Sequence, residues 1–259
     1  MKMATSPTLR VVEREFRVFS RLWRGFVFSL ILNPVLYLAA IGLGLGGLVD
    51  KHSDSVDGLS YLQFVTPGLL VASAMQVAAG ESMWPIVGGV KWIGNFHATV
   101  ATSITPDEVL YGCVLWVAIR AMIGSVAFVL VAAVLGGIPS AWGILAVPVA
   151  GLCAAAFCAP LAAYSVMQDS DLTFPLIMRL GVLPLFLFSG TFYPISQLPD
   201  ALQVLAHFSP LYHAVQLARA ATTGTFDLGP DLVSLGVLVG CILSGLAWGR
   251  RRFERRLAA

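Results

Sequence analysis

The chain has 259 residues, 58% hydrophobic and only 12% charged. A soluble domain of this size carries about 25% charged residues, so the composition excludes a soluble globule and points to one all-α polytopic membrane domain over 1–259. The net charge of +2 is uninformative, but Lys2, Arg10, Arg14, Arg17, Arg21 and Arg24 precede the first apolar stretch, and Arg250, Arg251, Arg252, Arg255 and Arg256 follow the last.

Basic ends belong on the cytoplasmic side, so both termini are expected inside and the number of spans even. Each basic cluster abuts a span, which argues against a nucleic-acid partner. Residues 1–25 hold an amphipathic pattern. Leu9, Val12, Phe16, Phe19, Trp23 and Phe26 recur at steps of three and four, with arginines on other faces. Such a helix lies in the membrane interface against anionic headgroups. Span one follows over 26–49, long enough for a core that needs about 20 residues. Its GLGLGG run at 42–47 suits close helix packing. It has no Lys-Ser/Thr after it, as a phosphate loop would. The segment 50–60 reads as an outer loop. The first apolar stretch is too long for a signal-peptide core, and no cleavable leader is expected.

Span two covers 62–87 and descends. Residues 88–105 are polar enough to leave the membrane. Thr105, Pro106 and Glu108 then form a capping-box pattern that opens span three, which runs to 135. A tight turn at 136–141 leads to span four, 142–164. Gln168, Asp169, Ser170 and Asp171 make a short inner loop, and span five covers 174–192. Between 193 and 230 lie two short apolar-periodic pieces, one on Leu198, Leu202, Leu205 and Phe208, the other from 211 to Gly224. Both are too short to cross a bilayer and read as external re-entrant or interfacial helices. Span six covers 232–248. The expectation is about six transmembrane helices.

Among residues that could carry chemistry, the four histidines are scattered without metal-ligand spacing. No GxxxxGK[ST], HExxH, GxSxG or CxxC pattern is present. Neither catalysis nor a bound cofactor is expected. Cys113, Cys153, Cys158 and Cys241 lie in apolar segments and read as small buried hydrophobes. Glu81, Arg120 and Arg179 fall inside spans, where charge is costly and must face protein, water or a partner. Glu81 and Arg179 stand at similar depth and are expected to pair. Arg120 either locks the bundle or lines a transport path and meets an anionic headgroup.

The runs FSGTFYPISQLP at 188–199 and SPLYHAVQLARA at 209–220 resemble the signature region of the type-2 ABC export permeases. The similarity is greatest to the branch holding nodulation-factor lipo-oligosaccharide exporters and anthracycline-resistance permeases, and it extends over most of the chain. The stretch KWIGNFHATVATSITPDEVLYG resembles that family's coupling segment, although it carries few charges before ATSITP. The resemblance implies a permease subunit of the bacterial inner membrane, paired with a second permease chain as homodimer or heterodimer. It implies a separate ABC ATPase that binds ATP and Mg, and an amphipathic lipid, glycolipid or drug as cargo moved outward. It implies that the N-terminal helix braces the ATPase and that 88–105 touches it through Lys91, Trp92, Ile93, Phe96 and His97, with Trp92 or Phe96 as inserted anchor. Phe188, Phe192, Tyr193, Tyr212 and His213 become an outer gate; packing is the plainer reading for each of them. Two rival readings are a non-energised channel or scaffold, and an intramembrane enzyme.

Overall fold

The computed structural model describes residues 6–45 and 58–258, apart from the side chains of 22–31, 33, 34, 41–43, 45, 201 and 205. Lys2, most of the expected outer loop at 50–60, the end of the glycine run, and the side chains of Trp23, Arg24, Phe26 and Leu205 lie outside the described residues. The protein is an all-α polytopic membrane protein. Helix α1 (Pro7–Tyr37) continues as a wider helix through Leu38–Leu45. The expected junction near residue 26 between interface helix and span one is therefore no break. A single glycine there costs only about 1 kcal/mol in a helix, too little to end one.

Helix α2 (Tyr61–Val87) is capped by Ser60, whose hydroxyl accepts from the Gln63 N–H while the Gln63 side chain accepts from the Ser60 N–H. It runs on through a wide turn, Gly88–Trp92, and Gly94 at φ +69° lets the chain re-enter as the short helix α3 (Asn95–Val100). Helix α4 (Pro106–Val134) opens on the expected capping box: the Thr105 N–H donates to Glu108 Oε2 at 2.7 Å, and the Glu108 N–H donates to Thr105 Oγ1 at 3.4 Å. A 3-10 turn, Ala141–Leu145, precedes α5 (Ala146–Ser165). Then come α6 (Phe174–Phe188), α7 (Asp200–His207), α8 (Pro210–Thr223) and α9 (Leu228–Leu257).

Among the described residues, four helical runs are long and apolar enough to cross a membrane: Tyr61–Trp92, Pro106–Val134, Ala141–Ser165 and Leu228–Leu257. Helix α6 is shorter, ~22 Å by helical rise. It ends at Phe188 and not at 192, because Gly190 at φ +76° turns the chain back onto α2. There Thr191 lies so close that a Cβ on Gly68 would stand 2.8 Å from its Cα. The two short pieces are helices as expected. Pro199 precedes the first, Pro210 opens the second, and Gly224 at φ +76° ends it.

Helix α5 sits at the centre, against α2, α4, α8 and α9. Its buried alanines, among them Ala150, Ala154, Ala159 and Ala162, let neighbouring backbones approach. This is how helices associate where lipid offers no hydrophobic drive. A Cβ on Gly245 of α9 would stand 2.7 Å from both the nitrogen and Cδ of Pro160, and one on Gly249 would stand 2.7 Å from Leu110 Cδ2. The lower part of α1 packs on α4, with Val11 over Gly112 and the rings of Phe16 and Phe19 edge-on to Trp116 at 6.4 and 5.7 Å. Cys113, Cys153 and Cys158 are free and buried, as expected, and Cys241 is partly so.

This packing makes a signed prediction. Gly245→Ala destabilises the detergent-solubilised protein by about 1–3 kcal/mol, the usual cost of overpacking. Gly240→Ala, in the same helix with open space around it, is neutral or stabilising by up to about 1 kcal/mol. Thermal unfolding of the two variants checks the difference.

Candidate functional site

One end of the bundle gathers the segment after α2, α3, the loop between α5 and α6, the start of α4 and the tail of α9. Asp169 Oδ1 joins three of these: Lys91 Nζ lies at 2.8 Å and Arg256 Nη2 at 2.6 Å. Arg250 Nε reaches Asp107 Oδ2 at 2.7 Å, tying α9 to the start of α4. Arg14 of α1 pairs with Glu15 and donates to Thr99 Oγ1 of α3 at 3.4 Å. Of the expected coupling residues, Lys91 is thus held by an ion pair and His97 is exposed. Trp92 and Ile93 are 58% and 75% exposed. Phe96, expected as an alternative inserted anchor, is only 4% exposed. Its ring packs on Gly89, where a Cβ would stand 2.8 Å away, with the Arg14 guanidinium at 5.8 Å. Its side chain is spent on fixing α3 to α2 and is not presented outward. The two apolar side chains left to face outward, Trp92 and Ile93, are those before the glycine turn.

Deeper in the bundle, Glu81 pairs with Arg120, not with Arg179: Arg120 Nη1 lies 2.6 Å from Glu81 Oε1. Helices α2 and α4 pack directly, so their charges meet. Helix α6 meets α2 at Phe174, whose ring lies edge-on to Trp84 at 5.4 Å, and around its wide turn Met178–Val182, where Arg179 itself is exposed.

The other end holds the expected gate residues in two groups. In the first, Phe192 stacks edge-on against Phe186 at 5.0 Å and its carbonyl accepts from the Tyr61 hydroxyl at 3.4 Å. Phe188 and Tyr193 flank it, half-buried. In the second, the Tyr212 ring lies 4.8 Å from His207 and 5.2 Å from His213, and its hydroxyl accepts from Gln216 Nε2 at 3.0 Å. His213 Nε2 donates to the His207 carbonyl at 3.0 Å, which in the neutral ring leaves Nδ1 to accept from the Ser234 hydroxyl at 3.1 Å. Both ring nitrogens are thereby engaged, and His213 is a brace between α7, α8 and α9. The Ser189 and Ser209 hydroxyls, 3.4 Å apart, connect the two groups.

Arg219, which sequence reasoning passed over, is the main fastener here. Its guanidinium lies 4.1 Å above the Phe64 ring and donates to the carbonyls of Gly190 at 3.0 Å and Phe64 at 3.4 Å. It joins α8 to α2 and to the turn after α6. Beside it a groove of about 540 Å³ opens between α8 and α9, lined by Tyr212, Gln216, Arg219 and Asp231 among others. The signal for Arg219 was a lone cation among the small apolar residues of LARAA.

Two predictions follow from these charges. Glu81→Gln and Arg120→Gln each destabilise the protein by ~2 kcal/mol, the scale of a hydrogen bond to a charged group, and the double variant costs less than the sum. Arg179→Gln leaves the unfolding temperature nearly unchanged. At Asp169, hydrogen bonds from Lys91 and Arg256 hold the carboxyl below its ordinary range. A depressed folded-state pKa means that the link is complete above the unfolded pKa and is lost as pH falls through the folded one. A spin label at Ala258 therefore gains mobility in that acid window in the wild type, and is mobile at every pH in Asp169→Asn.

The comparisons with known proteins agree with this architecture. The family model described as ABC-2 type transporter matches residues 8–222. Nodulation protein J of Rhizobium leguminosarum bv. viciae is 29% identical over 262 residues, covering 99% of both chains. Nodulation protein J of Rhizobium meliloti (strain 1021) is 26% identical over 90% of this chain and 86% of its own. The inner membrane transport permease YadH of Escherichia coli (strain K12) is 24% identical over 89% of this chain and 88% of its own. A single family model spanning most of the chain, with relatives aligned nearly end to end, makes this protein a member of the ABC-2 type transporter family.

Proposed function

We propose that the chain is the membrane half of an ATP-driven exporter, which moves an amphipathic lipid, glycolipid or drug outward across the bacterial inner membrane. Permeases of this family work with a separate ABC ATPase. In this reading two permease chains face each other, and the ATPase, with its ATP and Mg, docks at the charged end. The observation that carries the reading is the exposure of Trp92 and Ile93 on a rigid mount. Lys91 is tied to Asp169, and Asp169 to Arg256, immediately beside them. Two large apolar side chains held outward beside an ionic cluster suit a partner groove, since aromatic anchors dominate such interfaces. The basic parts of α1 and α9 meet the same end of the bundle, which supports a cytoplasmic placement for both. The gate region around Phe188, Phe192, Tyr193, Tyr212 and His213 then lies outside. Arg219 ties it to α2.

Two experiments test this. Trp92→Ala weakens co-purification with the ATPase by about 1–3 kcal/mol, as at a hot spot, and lowers transport while the isolated permease stays folded. Phe96→Ala acts differently and destabilises the permease itself by about 3–5 kcal/mol, the cost of emptying a buried phenylalanine site. Undiminished ATPase affinity in both Trp92→Ala and Ile93→Ala would remove this segment from the coupling role. For orientation, a cysteine at Asp200 is labelled from outside intact cells and one at Ser6 is not. Labelling of Ser6 from outside would invert the topology.

A further inference from the structure

Residues 189–194, SGTFYP, leave the end of α6 as a short strap laid on α2. Two backbone features bound it. Gly190 at φ +76° turns the chain off α6, and Pro194, extended at φ −59° and ψ 137°, leads into the 3-10 turn Ile195–Gln197. Between them Thr191 is fully buried. It sits on Gly68, where a Cβ would stand 2.8 Å from its Cα and 3.0 Å from its Cγ2. On either side of it a carbonyl is tied to the bundle. The Gly190 carbonyl accepts from Arg219 Nη2 at 3.0 Å, and the Phe192 carbonyl accepts from the Tyr61 hydroxyl at 3.4 Å.

The Thr191 hydroxyl departs from the pattern of its neighbours. On the adjoining elements buried hydroxyls are paired. Thr66 Oγ1 donates to the Leu62 carbonyl at 2.6 Å, Ser189 donates to the Leu185 carbonyl, and Ser209 Oγ accepts from the Leu211 N–H at 3.2 Å. Thr191 Oγ1 is buried with no hydrogen-bond partner among the described residues. A hydroxyl taken out of water without replacement disfavours the state that buries it. Shape and hydrogen bonding therefore act in opposite directions at this residue. Its backbone and methyl group fit Gly68, and its hydroxyl is better served off the bundle.

We infer that the strap 189–194 is a metastable closure, and that the buried Thr191 hydroxyl is its built-in bias toward the lifted state. Lifting the strap off Gly68 breaks the two carbonyl ties and returns the hydroxyl to water. The second change offsets part of the first, so the strap opens at lower cost than its fit to α2 implies. Valine has nearly the shape of threonine and would fill the same seat without the penalty. The hydroxyl thus keeps the closure reversible. Thr191 acts here on the conformation of the strap and touches no cargo. The use of the strap in an outer gate rests on the permease reading. The lifting itself needs neither ATPase nor cargo, so the two fail separately.

The test is deuterium exchange of the purified full-length permease, read by mass spectrometry on peptides covering 186–194 and, as internal reference, 146–165 of α5. Exchange of the strap amides reports local opening. Thr191→Val slows uptake in the strap about tenfold, the scale of one unpartnered buried hydroxyl. It leaves α5 unchanged and does not lower the unfolding temperature. Thr191→Ala and Thr191→Ser differ from each other by the hydroxyl alone, and the strap exchanges more slowly in Thr191→Ala. Gly68→Ala, which crowds the seat, speeds uptake in the strap. Uptake in Thr191→Val equal to or faster than in the wild type overturns the inference, since the hydroxyl then holds the strap down. So does equal uptake in Thr191→Ala and Thr191→Ser. Slowing in Thr191→Val that extends equally to 146–165 also overturns it, because the change then stabilises the whole bundle and not the strap.

Discussion

The close approach of backbones around α5 is the constraint on which the fold depends. In a bilayer, lipid tails compete with every apolar side chain, so burying leucine against leucine offers little drive. What remains is contact, and contact needs small residues. The alanines of α5 supply them on several faces, and Gly245 and Gly249 of α9 let that helix lie against Pro160 and Leu110. Because α5 touches α2, α4, α8 and α9, the two ends of the molecule are built on one rigid stack.

Charge then does what apolar packing cannot, which is to fix relative position. Three fasteners lie at three depths. The Asp169 cluster joins the segment after α2 to the tail of α9. Glu81–Arg120 joins α2 to α4. Arg219 joins α8 to α2 and to the turn after α6. Two of the three include α2 and the third includes its continuation at Lys91. The Glu81–Arg120 pair and the Arg219 contacts replace hydration lost on partial burial and favour one neighbour over another, whereas the Asp169 cluster stays exposed.

Much of this was legible in the sequence. Composition gave the class, and the capping pattern Thr105–Pro106–Glu108 placed the start of α4 because a reciprocal pair of hydrogen bonds is a local device. Pro210 and Gly224 bounded α8 for the same reason. The pairing of Glu81 was not legible. Depth along a helix can be counted from sequence, but which neighbour a helix faces depends on packing, and α4 rather than α6 lies against that side of α2. Phe96 was misplaced for a similar reason. A phenylalanine next to Trp92 and Ile93 has the same hydrophobicity as an anchor, and only the left-handed turn at Gly94 separates its direction from theirs. The end of α6 was set too late because Gly190 was counted as part of a span, whereas its positive φ ends the helix.

The arrangement of α2 bears on how the two ends communicate. Its C-terminal continuation carries Trp92. Its N-terminal half holds Gly68 against Thr191, Phe64 beneath Arg219, and Tyr61 against the Phe192 carbonyl. Three contacts made by Thr191, Arg219 and Phe192 therefore fall on the helix that continues into the exposed Trp92. A helix buried along its length moves as a body, since a packed interior does not deform continuously. On the coupling role proposed for Trp92, a push there would tilt or shift α2 about its fixed points, one of which, the Glu81–Arg120 pair, lies between the two ends. Ionic contacts tolerate small rotations better than interdigitated side chains, because Coulomb attraction falls off slowly with distance. The ion pair is thus suited to act as a pivot. The Arg219 contacts at the other end depend on hydrogen-bond angles that weaken steeply when misaligned, and so are more sensitive to a tilt of α2.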